Sequence, residues 1–262
     1  MYNIGIEVII LEINHICYNM LLFHKQGGYF STISKVVQET LGLPCKESSN
    51  PKEEGTWVLF FTSFLSGFYK SIKSPYILVQ TELLDKTFAR YPEYKVMYDK
   101  AQRVLDFSQN LDFKYSDVYR IECESSKEID VLFYGVLSER RKKILDQINC
   151  NKLVLHTSPP VVGADLWKHI NNSKIVLNIS CHDNRYEADW VRLAPLLSNR
   201  IFVISETVGD DKFNSLNQHL ALCEYEYIPT LVKHFLNNPL NRVIWADKGF
   251  DYIRKNKTKI IE

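Results

Sequence analysis

Short, almost uninterrupted apolar runs recur along this chain at intervals too long for hairpins, and that spacing restricts what it can fold into. Residues 5–13, 57–61, 76–80, 131–134, 153–156, 175–179 and 201–205 are rich in β-branched, leucine and aromatic side chains. A strand that is apolar along its whole length is buried on both faces, as in a parallel sheet covered by helices. Between the runs lie segments with helical apolar spacing: 94–104, 138–148, 164–171 and 189–197. Residues 18–41 carry similar spacing around a Gly27-Gly28 break, ended by Leu43-Pro44. Residues 228–257 are expected to be helical with a break at 237–239. Alternating strands and helices read as right-handed βαβ units, so the fold class is α/β.

Between residues 112 and 130 the chain turns polar before a new buried run begins, which places a boundary there. The expected division of the 262 residues is 1–125 and 126–262, each half repeating the alternation as a Rossmann-like unit. An apolar share of 45% and a charged share of 24% exclude the disordered and membrane classes. A net charge of +1 supplies no electrostatic reason for a nucleic-acid partner, so none is expected. The first apolar run is interrupted by Glu7 and Glu12 and has no basic segment before it. It is therefore not read as a secretory signal, and no stretch reaches the roughly 18 to 20 apolar residues of a membrane span. A soluble, cytoplasmic protein is the expectation. The six cysteines form no C-x-x-C pair and no histidine stands at metal spacing, so reduced thiols and no metal site are expected.

The segment YGVLSERR at 134–141 stands where a strand turns into a helix. Gly135 permits close backbone approach, Ser138 can cap the helix, and free N–H groups with Arg140 and Arg141 could receive a diphosphate. The alternative is an ordinary capped helix with both arginines on its solvated face; G-x-G-x-x-G is absent, which argues against a dinucleotide site. After the run at 175–179, residues 178–192 crowd polar and charged groups together at a strand's carboxyl end, where open α/β sheets bind ligands. Glu187 and Asp189 could hydrogen-bond sugar or ribose hydroxyls, and Arg192, three residues on from Asp189, could neutralise phosphate. A surface salt bridge between Asp189 and Arg192 explains that pair equally well. Glu206 closes the next strand and either points to the same place or is a turn acid. In the first half, Asn14, His15 and Tyr18 follow the first apolar run, and Gln80 and Glu82 follow the third. His15 could act as a base toward an acceptor hydroxyl, since histidine titrates near neutrality, or serve as a structural hydrogen-bonding residue.

Taken in order, LEINHICYNM at 11–20, YILVQTELL at 76–84 with AQRVLDFS at 101–108, DVLFYGVLSERR at 130–141, and the stretch from Asn178 through Arg192 to VISE at 203–206 resemble a bacterial and viral group of GT-B glycosyltransferases. The resemblance implies two Rossmann-like domains facing across a cleft, with a nucleotide-sugar held mainly by the second and an acceptor by the first. A UDP- or GDP-linked donor is expected, with no metal. It further implies that Gly135, Ser138 and Arg140 or Arg141 lie near the diphosphate, and that Glu187, Asp189, Arg192 and Glu206 lie near the sugar and nucleoside. His15 falls on the acceptor side, with Asn14, Tyr18, Gln80 and Glu82. Similar sequences carry Glu where this chain has Asp189. Related retaining enzymes carry a second glutamate eight positions after the first, which here is Pro195, counted from Glu187. A common glycine before the 201–205 run is Arg200, which is expected to change the turn.

The expected reaction is sugar transfer from a nucleoside diphosphate to a hydroxyl, driven by donors placed where negative charge grows on the departing diphosphate. The alternative is a non-catalytic glycan- or nucleotide-binding module of the same fold. A nucleotide-sugar epimerase is disfavoured, because no dinucleotide fingerprint or Tyr-x-x-x-Lys pair follows the early strands. If His15 is the base of an inverting transfer, His15→Ala abolishes turnover while donor binding persists; near-normal turnover would exclude that role.

Overall fold

The computed structural model describes residues 20–24, 43–80, 84–106, 127–156, 161, 163–183 and 188–258. Within them, strands β1 (Leu21–His24), β2 (Cys45–Ser48), β3 (Thr56–Phe60), β4 (Tyr76–Gln80) and β5 (Arg103–Asp106) form one sheet in the order β2-β1-β3-β4-β5. Strands β6 (Ile129–Tyr134), β7 (Lys152–Leu155), β8 (Ser173–Asn178), β9 (Val203–Glu206) and β10 (Ala221–Cys223) form a second, in the order β10-β9-β8-β6-β7. The described helices are α1 (Phe61–Leu65), α2 (Leu84–Arg90), α3 (Pro92–Lys100), α4 (Glu139–Asp146), α5 (Gly163–Asn171), α6 (Trp190–Ser198), α7 (Asp211–Asn214), α8 (Ile228–Leu236) and α9 (Pro239–Thr258). The chain divides into two compact units, one holding the described residues from 20 to 105 and the other those from 106 onward. The boundary expected at residues 125 and 126 lies outside the described residues.

Each sheet, counted from its first strand among the described residues, runs 2-1-3-4-5, with parallel pairing among β1, β2, β3 and β4 and from β7 through β6, β8 and β9 to β10. In such sheets the connections diverge between the first and third strands, and the crevice at their carboxyl ends is the usual place for a ligand. In the second unit that point lies between β6 and β8.

The inner strands of both sheets are buried on both sides, as the uninterrupted apolar runs require. Val131, Leu132 and Phe133 of β6 and Ile175, Val176 and Leu177 of β8 are all at 0% exposure. One face of this sheet packs against Ile144 and Leu145 of α4 and Val232 and Phe235 of α8. In the first unit, Trp57, Leu59, Tyr76 and Leu78 pack with Leu22, Tyr94 and Met97. Burial, with a smaller effect from Tyr69, pushes the Tyr76 phenol up to about 12. It remains a donor, to the Met97 carbonyl at 2.7 Å.

Three expectations are corrected. The 18–41 stretch is not one helix, since Leu21–His24 is a strand; a four-residue run with Leu21, Leu22 and Phe23 all buried has no period-2 signature to separate it from a helix face. The helix expected over 94–104 stops at Lys100 and gives way to β5. The arginine in place of glycine leaves the turn intact: Arg200 adopts φ 55°, the left-handed conformation that favours glycine. Around it Ile201 N–H donates to Leu196 O at 3.0 Å and Arg200 N–H to Leu197 O at 3.1 Å, the paired bonds that end a helix at a left-handed residue. The Arg200 guanidinium lies 4.4 Å from the centre of the Phe250 ring.

Arg200→Gly relieves about 1 kcal/mol of left-handed strain and gives up a cation–π contact of about 0.5–1 kcal/mol. Its urea midpoint therefore stays close to that of the parent. Arg200→Val places a β-branched side chain in the same conformation and is expected to lower unfolding free energy by about 2 kcal/mol in the same titration.

Candidate functional site at the crossover of the second sheet

β6 ends at Tyr134, and the ladder to β7 extends one residue further through Gly135 N–H to Leu155 O at 3.1 Å. Gly135 has φ 121°, a conformation other residues avoid. A Cβ there would stand 3.1 Å from Arg192 Nη2, tighter than an ordinary contact, so the missing side chain is what gives the Arg192 guanidinium room at this strand end. Three residues later Ser138 caps α4. Its Oγ accepts from Arg141 N–H at 3.3 Å and donates to Cys181 O at 3.2 Å, joining the turns after β6 and β8.

The two arginines of this segment part ways, and neither lies on a solvated helix face. Arg141 turns inward and is 5% exposed. Its Nε and Nη2 donate to Ile179 O at 2.9 and 2.6 Å, and its Nη1 donates to Val136 O at 2.8 Å. A guanidinium engaged this way holds main chain together. Arg140 runs along the strand ends. It pairs through both Nη groups with Glu206, through Nε with Asp183 at 2.5 Å, and through Nη1 with Ser180 O at 3.1 Å. Its guanidinium lies 3.8 Å from the Tyr225 ring centre, and Tyr225 Oη donates to Arg140 O at 2.6 Å. Burial is the largest single influence on Arg140 and would lower its pKa, but the hydrogen bonds to Glu206 and Asp183 together with the charges of both carboxylates hold the group above its ordinary value.

Glu206 is 8% exposed and also accepts Ser180 N–H at 2.9 Å. It is neither a plain turn acid nor directed away from the protein's own groups. Beside it, burial first and then the charges of Glu206 and Glu224 push the Cys223 thiol up to about 12, so it stays protonated at neutral pH. The four cysteines among the described residues are free.

Asp189 caps α6, accepting Arg192 N–H at 3.3 Å, and its carboxylate stands 3.7 Å from Arg192 Nη2. The pair is not a solvated surface bridge, since the side chains are 12% and 21% exposed. Arg192 Nη1 donates to Asn178 Oδ1 at 3.3 Å, and the guanidinium lies 4.9 Å from the Tyr134 ring centre. Asn178 Nδ2 in turn donates to Ser205 Oγ at 2.9 Å.

Gly135, Ser138, Arg140, Arg141, Asp189, Arg192 and Glu206 thus gather at the carboxyl ends of β6, β8 and β9. Gln80 belongs to the first unit, where it is 0% exposed and accepts the Tyr94 hydroxyl at 2.5 Å, a buried polar pair in that unit's core. Asn14, His15, Tyr18, Glu82 and Glu187 lie outside the described residues. Tyr134, Asn178, Ser205 and Tyr225 join the cluster through contacts that no local sequence pattern specifies. Tyr134, Asn178 and Ser205 fall within stretches that carry the resemblance, without a role of their own, and Tyr225 falls in none of them. Among the described residues no group of three or more His, Cys, Asp or Glu side chains is placed to hold a metal, and no helix is long and apolar enough to cross a membrane.

Two α/β units, each built on a five-stranded sheet, make a fold of the GT-B type. No family model matches the sequence, and no curated protein matches it. Among solved structures the chain is similar to T4 phage β-glucosyltransferase, at TM-score 0.58 and 13% identity over 92% of this chain and 96% of that one. The T4 phage enzyme in complex with UDP-glucose matches at TM-score 0.59 and 11% identity, with the same coverage. The DNA-modifying enzyme β-glucosyltransferase, with and without uridine diphosphoglucose, matches at TM-score 0.57 and 13% identity, again over 92% and 96%. The GT-B fold expected from the sequence is therefore the fold found. The expectation that nucleic acid is not a partner gains no support, since the last of these neighbours modifies DNA.

Removing one partner of a mostly buried ion pair strands the other, at a cost of about 3 kcal/mol. Glu206→Ala and Arg140→Ala should each destabilise by about that much. Their double variant should lose clearly less than the sum, as read from a double-mutant cycle of urea unfolding.

Proposed function

We propose that this chain is a glycosyltransferase that holds a nucleoside diphosphate sugar at the crossover of its second sheet and passes the sugar to a hydroxyl acceptor. The observation that carries this reading is the coincidence of a whole-chain GT-B likeness with an arginine cluster at the strand ends where such a sheet takes its ligand. In transfer the bond from the anomeric carbon to the diphosphate oxygen breaks, a bond to the acceptor oxygen forms, and the acceptor's proton passes to a base. Charge builds on the departing diphosphate. Arg192, close to Gly135 at the end of β6, is the cation assigned to it, and preset donors of this kind supply much of the acceleration in such reactions. Guanidinium groups can do this without a divalent ion, so transfer is expected to survive chelation by EDTA.

The solved neighbours favour UDP-glucose as the first donor to try, with GDP-sugars second. A net charge of +1 does not remove DNA from the acceptor screen, because one neighbour is a DNA-modifying enzyme. The deoxyribose oxygens inside a DNA strand are tied up in phosphodiesters and the ring, so a DNA acceptor would have to carry its hydroxyl on a base. Duplexes with and without hydroxyl-bearing bases are therefore to be compared with free glycans.

The test is thermal unfolding against UDP, GDP and their sugars, followed by transfer with any donor that binds. A ligand at a hundred times its dissociation constant stabilises the native state by about 2.7 kcal/mol. One nucleotide is expected to raise the midpoint, with the rise lost in Arg192→Ala. No response to any nucleotide would overturn the proposal, and binding without transfer to any acceptor would leave a nucleotide-binding module.

A further inference from the structure

Arg192 is held from several sides by groups the transfer reading does not use. Asn178 Oδ1 accepts from its Nη1 at 3.3 Å, and the Tyr134 ring lies against the guanidinium at 4.9 Å. Gly135 leaves its Nη2 room on a third side. Asn178 is itself fixed. It is 8% exposed, its Nδ2 donates to Ser205 Oγ at 2.9 Å, and that hydroxyl donates to Glu206 O at 3.2 Å. The hydrogen bond to Ser205 also sets which end of the amide faces Arg192, since the nitrogen is taken by Ser205 and the oxygen is left for the guanidinium.

The chemistry of that choice matters. A carboxylate at position 178 would hold Arg192 more firmly but would cancel its charge. Asp189 already stands 3.7 Å from Arg192 Nη2, and a neutral amide oxygen at 178 aims the guanidinium without adding a second negative charge to it. The ring of Tyr134 does the same from the other side, since an aromatic face attracts a cation without neutralising it.

We propose that Asn178, oriented by Ser205, is a positioning residue that presets the Arg192 guanidinium against Tyr134 as a clamp for the diphosphate of the donor. This rests on the transferase reading only in assuming that a nucleoside diphosphate binds at this strand end. Asn178 acts through Arg192, so its removal should weaken recognition of the diphosphate and leave recognition of the nucleoside alone.

The measurement is the affinity for UDP relative to uridine, and in parallel for GDP relative to guanosine, by titration calorimetry on the full chain. The wild type should prefer the diphosphate. Hydrogen bonds to charged groups are worth roughly ten- to hundredfold in affinity, so Arg192→Ala should reduce the preference by about that range, and Asn178→Ala and Asn178→Asp by about tenfold. Asn178→Asp matches the native side chain in size and shape, so it carries the test if Asn178→Ala fails to fold. A merely structural role for Asn178 would lower both affinities together or neither. If the wild type shows no preference for the diphosphate, the transferase reading fails. If it does, and Arg192→Ala loses the preference while both Asn178 variants keep it, the clamp is overturned and the transferase reading stands. Retention of the preference by Arg192→Ala would overturn the clamp as well.

Discussion

A positive charge 5% exposed among main-chain carbonyls is the fixture around which the second unit's strand ends are arranged. Arg141 cannot be solvated where it lies, and a buried charge is tolerated only when its donors are all met by good acceptors. The carbonyls of Ile179 and Val136 accept from Nε, Nη1 and Nη2, and in doing so tie the turn after β8 to the turn after β6. Those two turns flank the point where the sheet's connections diverge. With them fixed, Ser138 can bond across to Cys181, and Gly135 can bring its bare backbone close to Arg192.

On that base the remaining charges fall into two kinds. Arg140 is met by two carboxylates, Glu206 and Asp183, and lies over Tyr225, an arrangement that spans the ends of β8 and β9 and holds them at fixed distance. Arg192 is aimed by a neutral amide and a ring, and Asp189, which caps α6 through Oδ1, stands 3.7 Å from its Nη2 through Oδ2. The same residue type thus does two jobs within one cluster: Arg140 is hydrogen-bonded to two carboxylates, whereas Arg192 is hydrogen-bonded to an amide and has the Asp189 carboxylate at that longer distance.

How much of this was legible in the sequence follows the distance over which each feature is encoded. The run 76–80 is β4 residue for residue, and the break at 237–239 separates α8 from α9, because apolar runs and a proline are local signals. β2 and β10 were not legible: one is four residues with Lys46 and Glu47 inside it, the other is three residues long. In the site, the Gly135 turn and the Ser138 cap could be read from a single octapeptide. The direction each arginine takes could not. Arg140 meets Glu206 across 66 positions, Arg141 meets Ile179 across 38, and Asn178 meets Ser205 across 27. Only the packed sheet brings those residues together, so sequence placed the charges in the right region and left their partners undetermined.

The parallel pairing also bears on how the chain reaches this state. Every neighbouring strand in such a sheet is joined through a long connection, so few contacts form before distant segments have met, and folding of this kind is slow. During that interval unpaired strands are templates for other molecules. The strands at the two margins of each sheet blunt that hazard: β2 carries Lys46 and Glu47, β5 begins with Arg103 and ends with Asp106, β7 begins with Lys152, and β10 is three residues long. The polar character that hid the first of these strands from a reading of the sequence is thus what keeps one chain's sheet from continuing into the next.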